Sequence, residues 1–135
     1  MVKLSKNFRL EEFFYVLPDV DKRESIINRI KTSLVNPILQ PLRDFLDEII
    51  IVTSGFRDPE YNRLVGGAEH SHHLCEADRC AVDITTDKLK DAWMWLKAHC
   101  GLFCYAYWDK RKNFIHISGL TSTDRRIGKM WIKEE

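Results

Sequence analysis

The 135 residues carry 21 basic and 20 acidic side chains, a formal net charge of +1, with no block of one sign along the chain. That balance excludes a basic nucleic-acid arm and an acidic tail, and no stretch approaches the roughly 18 apolar residues of a membrane span. The length is that of one ordinary domain, 1–135, large enough to bury about two thirds of its unfolded surface and to own a hydrophobic core.

The chain opens Met1-Val2-Lys3-Leu4-Ser5-Lys6-Asn7, positively charged but with no apolar run behind it. Synthesis in the cytoplasm without a signal peptide is expected. Residues 7–15 place polar and acidic side chains ahead of Phe13 and Phe14 and predict a short helix that packs those rings down. From Ser25, Ile26, Ile30, Leu34, Ile38, Leu42 and Phe45 recur at three- and four-residue spacing, the pattern of an amphipathic core helix. Pro37 and Pro41 remove donors and crowd the preceding turn, which predicts a kink or a break into two helices near Asn36. Ile49–Val52 reads as a short buried strand that delivers Ser54 and Arg57 at its end, and Gly66-Gly67 marks a sharp bend.

Further on, Asp87–His99 carries Leu89, Ala92, Trp93 and Leu96 in helical register and predicts a second helix, with Gly101 as its C′ glycine. Leu102–Trp108 and Asn113–Ser118, rich in aromatic and β-branched residues and separated by Asp109-Lys110-Arg111-Lys112, predict a hairpin. No period assigns the tail from Thr121 to Glu135; Ile127, Met130 and Trp131 are the side chains available to dock it. Helices first, then strands and one more helix, without βαβ alternation, point to an α+β fold: a small, mainly antiparallel sheet with helices packed on one face. The other face is then free to carry a site. Cys75, Cys80, Cys100 and Cys104 are expected as reduced thiols, because a chain this rich in apolar residues needs no staples to fold.

His73, Asp83 and His116 offer two imidazoles and a carboxylate from well-separated segments. Three such ligands with a fourth position left open are the layout of catalytic zinc, where the ion brings the pKa of water to about 7 and polarises a carbonyl under attack. On spacing alone, three histidines within residues 70–73 are as readily a polar loop.

Ser54-Gly55-Phe56-Arg57, Gly66-Gly67-Ala68, Ser71-His72-His73, Ala81-Val82-Asp83-Ile84 and Phe114-Ile115-His116-Ile117-Ser118, in that order, resemble the zinc D-alanyl-D-alanine carboxypeptidase family of cell-wall peptidases, in particular its small phage-associated branch. Leu4-Ser5-Lys6-Asn7-Phe8, Leu10-Glu11-Glu12-Phe13 and Pro37-Ile38-Leu39-Gln40-Pro41-Leu42-Arg43 extend the likeness over roughly residues 3–120. The resemblance implies a hedgehog/DD-peptidase-like fold, zinc as cofactor, and His73, Asp83 and His116 as its ligands. It also implies Arg57 as the side chain that holds substrate; independently, a guanidinium fork suits a carboxylate or an oxygen developing negative charge. Ser71 either hydrogen-bonds substrate or caps a turn. His70 and His72 are read as outer residues, with His72 the substitute ligand if the loop is shifted. The implied partner is a peptidoglycan stem or cross-bridge peptide, with no nucleic acid or membrane, the chain acting as a monomer at the cell wall after phage-assisted release.

Two departures from the family pattern bear on the chemistry. Relatives separate the first histidine from the aspartate by a shorter interval that contains a glycine, whereas here the two are ten apart with Cys75-Glu76-Ala77-Asp78-Arg79-Cys80 between them. Such an insertion bulges outward at little entropic cost. Its cysteines are open to three readings: soft ligands competing for zinc, a pair bonded to each other, or two small apolar side chains. Relatives also place a glutamate or a second histidine just before the final histidine, where this chain has Asn113 and Phe114. Asp109 is therefore the candidate general base. A three-residue hairpin loop turns it away from the face of His116, and a two- or four-residue loop turns it toward that face. The expected activity is hydrolysis of a peptidoglycan amide as carboxypeptidase or endopeptidase; the alternatives are a catalytically impaired peptidoglycan-binding module on the same scaffold and a structural zinc site closed by Cys75 or Cys80.

Overall fold

A computed structural model describes residues 2–134. The apolar period of the first third becomes one continuous helical path in three parts: α1 (Val20–Ile30), a widened π-helical segment (Lys31–Leu39) and α2 (Gln40–Leu46). Of the kink or break expected near Asn36, the break does not occur; the irregularity there is the widened segment. Pro37 sits inside the widened segment, and the Gln40 N–H reaches back five residues to the Val35 carbonyl, so looser turns absorb the missing donor and the bulk of the ring that a tight helix rejects. The helix also begins five residues before Ser25, at Val20. Residues 7–15 contribute a single 3₁₀ turn, Leu10–Phe13, which buries Phe13.

Five strands form one sheet: β1 (Ile51–Ser54), β2 (Ala81–Thr85), β3 (Phe103–Asp109), β4 (Phe114–Gly119) and β5 (Lys129–Lys133), in the order β1-β2-β4-β3-β5. Every neighbouring pair is antiparallel except β3 and β5, which run parallel. Alternation along the strands sorts side chains between two faces. Val82, Ile84, Ala106, Ile115 and Ile117 turn inward and share one core with Leu34, Val35, Ile38, Leu39 and Leu42 of the long helical path and with Leu96 of α4 (Leu89–Ala98). The opposite face carries polar and aromatic side chains. The domain is thus α+β, with a mostly antiparallel sheet, as its element pattern indicates.

Three smaller expectations are corrected. The strand expected buried at Ile49–Val52 runs from Ile51 to Ser54, with Ile49 and Ile51 exposed. The helix α4 ends at Ala98 with His99 as its C-cap, and Gly101 lies in the following 3₁₀ turn; the glycines with left-handed φ are Gly66 and Gly128, so Gly101 closes no left-handed cap. The tail forms β5, with Met130 against the core and Trp131 stacked on Tyr105 and Tyr107, while Ile127 stays exposed and does not dock. A short helix, α3 (Pro59–Leu64), follows β1, its N-cap Asp58 accepting from the Tyr61 N–H at 2.7 Å. No helix among the described residues is long and apolar enough to cross a membrane.

Candidate metal centre

One cross-strand row builds the site. Ser54 pairs with Asp83, Asp83 with His116, His116 with Tyr107, and Tyr107 with Trp131. Residues in such a row stand side by side on one face, and the row passes through all five strands away from the helices. Tyr107 stacks on His116 with ring centres 4.8 Å apart, which fixes the imidazole plane.

His73 joins this row from outside the sheet. It lies in the 3₁₀ turn His72–Leu74, whose N-cap Ser71 accepts from the His73 N–H at 3.2 Å; Ser71 therefore caps the turn and also borders the cleft. The Ser54-Gly55-Phe56-Arg57 segment holds His73 by two further bonds. The Arg57 N–H donates to the His73 carbonyl at 2.8 Å, and His73 Nδ1 lies 2.8 Å from the Gly55 carbonyl oxygen. Glycine is required there, since a Cβ on Gly55 would sit 2.4 Å from the Phe13 carbonyl oxygen.

A carbonyl oxygen only accepts, so His73 Nδ1 carries the proton and Nε2 presents a lone pair. That lone pair faces Asp83 Oδ1 at 3.2 Å. His116 Nδ1 approaches the same oxygen at 2.8 Å, with its Nε2 anchored 2.8 Å from the Ser118 hydroxyl. Two acceptors confronting each other in a buried place call for a cation between them. The potential ligand atoms of His73, Asp83 and His116 all lie within 4.8 Å of one another, and all three residues are buried. Both histidines have their other ring nitrogen held by the protein, the arrangement that orients metal-binding imidazoles. The donor set of two imidazoles and one carboxylate fits zinc. No cysteine sulfur joins this group among the described residues, which removes the reading of a structural site closed by Cys75 or Cys80.

The electrostatics agree with this geometry. Burial alone would raise the Asp83 carboxyl, but the hydrogen bond from His116 leads the effects that outweigh it and hold the group well below the usual carboxylate range. Burial pushes the His116 imidazole down, toward the neutral form a metal needs. Arg57 stands 3.7 Å from Asp83 Oδ2. Its guanidinium is braced by Ser54 Oγ at 3.3 Å and Asn62 Oδ1 at 3.4 Å. The buried Asn62 also donates to the Ala68 carbonyl at 2.8 Å, and a Cβ on Gly67 would fall 2.1 Å from Asn62 Oδ1. The Gly66-Gly67 bend thus leaves room for the side chain that braces Arg57. Asn62 is not foreseen from sequence; Asp58-Pro59-Glu60, an N-cap followed by proline, is the signal of the helix that carries it.

The hairpin loop has four residues, Lys110–Asn113, and Asp109 pairs with Phe114. In that register Asp109 shares the face of Tyr107 and His116. It is buried, with Oδ1 accepting from the Lys112 N–H at 3.0 Å, and it lines the same cleft of about 780 Å³ as Arg57, His73, Asp83 and His116.

A family model described as Peptidase M15 matches residues 6–118. The chain belongs to the M15 peptidase family. No curated protein matches it. M15 peptidases are zinc enzymes related to D-alanyl-D-alanine carboxypeptidases, and the matched span contains the whole His73, Asp83 and His116 group.

Other residues of this M15 chain complete the cleft. His72 turns away from the metal group: its Nε2 lies 3.4 Å from Asp124 Oδ2 and its ring meets Tyr105 edge-on. Burial outweighs the pull of Asp124 and brings its pKa down to about 4, so the ring is neutral at pH 7. His70 is exposed, and its carbonyl accepts from Arg79 at 3.4 Å. Part of the cleft lining comes from Thr123 to Arg126 in the connection between β4 and β5, where Arg126 pairs with Asp124 and lies 4.3 Å over the Tyr105 ring. Nothing in the local pattern marks this stretch; the strands on either side bring it to the site.

Proposed function

We propose that this M15 peptidase is a zinc-dependent hydrolase of amide bonds in peptidoglycan stem or cross-bridge peptides, working as a carboxypeptidase or endopeptidase in a phage lysis role. The observation that carries the reading is the convergence of two imidazoles, a carboxylate, a braced arginine and a second acid in one cleft. When bound, the ion supplies positive charge that polarises the amide carbonyl and makes water a competent nucleophile near neutral pH. His73, Asp83 and His116 hold it. Arg57, fixed by Ser54 and Asn62, orients the substrate and balances charge growing on the carbonyl oxygen. Asp109 accepts the proton of the attacking water at the carboxylate oxygen not engaged by Lys112 and returns it to the leaving amine. Ser71 serves by holding the His73 turn. The cationic rim of Arg79, Lys112, Arg125 and Lys133 favours a substrate that bears carboxylates.

Turnover of purified peptidoglycan with and without chelator tests the reading. Chelator-sensitive release of peptide or D-alanine is the expected result. Bound metal without any release would instead support a binding module on the same scaffold.

A further inference from the structure

The segment between the first two ligands is a folded strap. Cys75 and Ala77 both adopt left-handed backbone, each with φ of 53°, and the Arg79 N–H donates to the Glu76 carbonyl at 3.0 Å, which turns the chain back on itself. Both ends are pinned. Arg29 donates to the Cys75 carbonyl at 2.5 Å, and the Gly119 N–H to the Cys80 carbonyl at 2.9 Å. The result sets Cys75 Sγ 3.5 Å from Cys80 Sγ, both side chains buried. Cys100 is exposed, and Cys104 turns its sulfur to the Asp124 carbonyl at 3.9 Å.

The apex of the strap reaches the connection between β4 and β5, part of which lines the cleft. Asp78 accepts from the Thr121 hydroxyl, from the Ser122 N–H at 2.7 Å and from the Ser122 hydroxyl at 2.6 Å, while Arg79 Nε donates to Thr123 Oγ1 at 2.9 Å. These bonds hold the residues that lead into Asp124, Arg125 and Arg126. The inserted segment is the tie between the histidine turn and that connection.

We propose that Cys75 and Cys80 are a disulfide-forming pair whose oxidation staples the strap and, through Asp78 and Arg79, stiffens residues 121–126, whose second part, Thr123 to Arg126, lines the cleft. The oxidant is a low-molecular-weight disulfide. One cysteine, as thiolate, attacks a sulfur of that disulfide, breaking its S–S bond and releasing one thiol. The second cysteine then attacks the protein-bound sulfur and releases the other thiol. Two electrons pass to the oxidant, the two protons end on the released thiols, and one S–S bond joins positions 75 and 80. Because both sulfurs are buried, exchange proceeds as the strap opens locally. The pairing is independent of the peptidase reading.

Native full-length protein incubated with oxidised glutathione, then denatured, alkylated without reductant and digested with trypsin, reads the pair directly, since cleavage after Arg79 separates the two cysteines. The expected product is two tryptic peptides joined through Cys75 and Cys80, lighter than the two free-thiol peptides by two hydrogen masses and carrying no alkyl group at either cysteine. Cys80→Ser abolishes the link; should that variant fail to fold, the wild-type map alone decides. Alkylation of both residues, or a link to Cys100 or Cys104 instead, overturns the pairing. Hydrogen exchange on the oxidised and reduced wild type reads the second half: slower exchange at 121–126 after oxidation is expected, and equal exchange overturns the coupling to those residues.

Discussion

At the scale of single residues, the site depends on which side chains face the same buried oxygen. Asp109 becomes a candidate base because a four-residue loop gives it the face of His116; a loop one residue shorter would have sent it to the other side. Asp109→Asn is expected to lower kcat by about 10²- to 10⁴-fold with zinc content unchanged, and full turnover by that variant would eliminate Asp109. His72 governs a different property. Its imidazole falls from 6.5 to about 4 on burial, so below pH 6.5 the unfolded chain binds a proton that the folded chain refuses. Stability from this group is complete above about pH 6.5 and is lost as the pH drops toward 4. The melting temperature of the metal-free protein should fall across that window. His72→Gln should flatten the fall without abolishing it, because burial of His116 acts in the same sense; an unchanged slope would contradict the assignment. Asp83, whose carboxyl is depressed, weakens the fold only at more acid pH, once its own proton returns.

Among the secondary-structure elements, those with strong local signals were legible and those assigned by distant partners were not. The 20–46 helix and α4 announce themselves by spacing, and the hairpin of β3 and β4 by its aromatic and β-branched runs. The strand β2 does not stand out, because Ala-Val-Asp-Ile-Thr sets a carboxylate amid apolar residues and is almost wholly buried, which erases the alternation of a half-exposed strand. β5 is stranger still to local reading, since it pairs in parallel with β3 across an intervening strand and loop. The Ser-Gly-Phe-Arg turn shows what an element contributes to a site. Gly55→Ala forces a Cβ against the Phe13 backbone and shifts the carbonyl that holds His73. It is expected to cost about 1–3 kcal/mol of stability and about 10- to 100-fold in metal affinity, read by thermal melting and by competition with a chelating dye. Lost stability with undiminished metal affinity would mean that Gly55 does not orient the ligand.

For the molecule as a whole, two layers divide the work. The helical layer and the inward sheet face supply the core, while the outward face gathers groups from β1, β2, β3, β4 and the histidine turn into one cleft. The motifs marked His73, Asp83, His116 and Arg57 as candidates, because each lies in a compact stretch of sequence, and the fold brings the four together. The wall from Thr123 to Arg126 and the tie through Asp78 arise from contacts between segments far apart in the chain, which no local pattern records. Zinc-edge X-ray absorption of the metal-loaded protein bears most directly on the central claim that His73, Asp83 and His116 together hold one ion. A shell of nitrogen and oxygen at about 2.0 to 2.2 Å with imidazole scattering is predicted, lost in His73→Ala and His116→Ala. A sulfur shell at about 2.3 Å, or an unaltered spectrum in those variants, would contradict it.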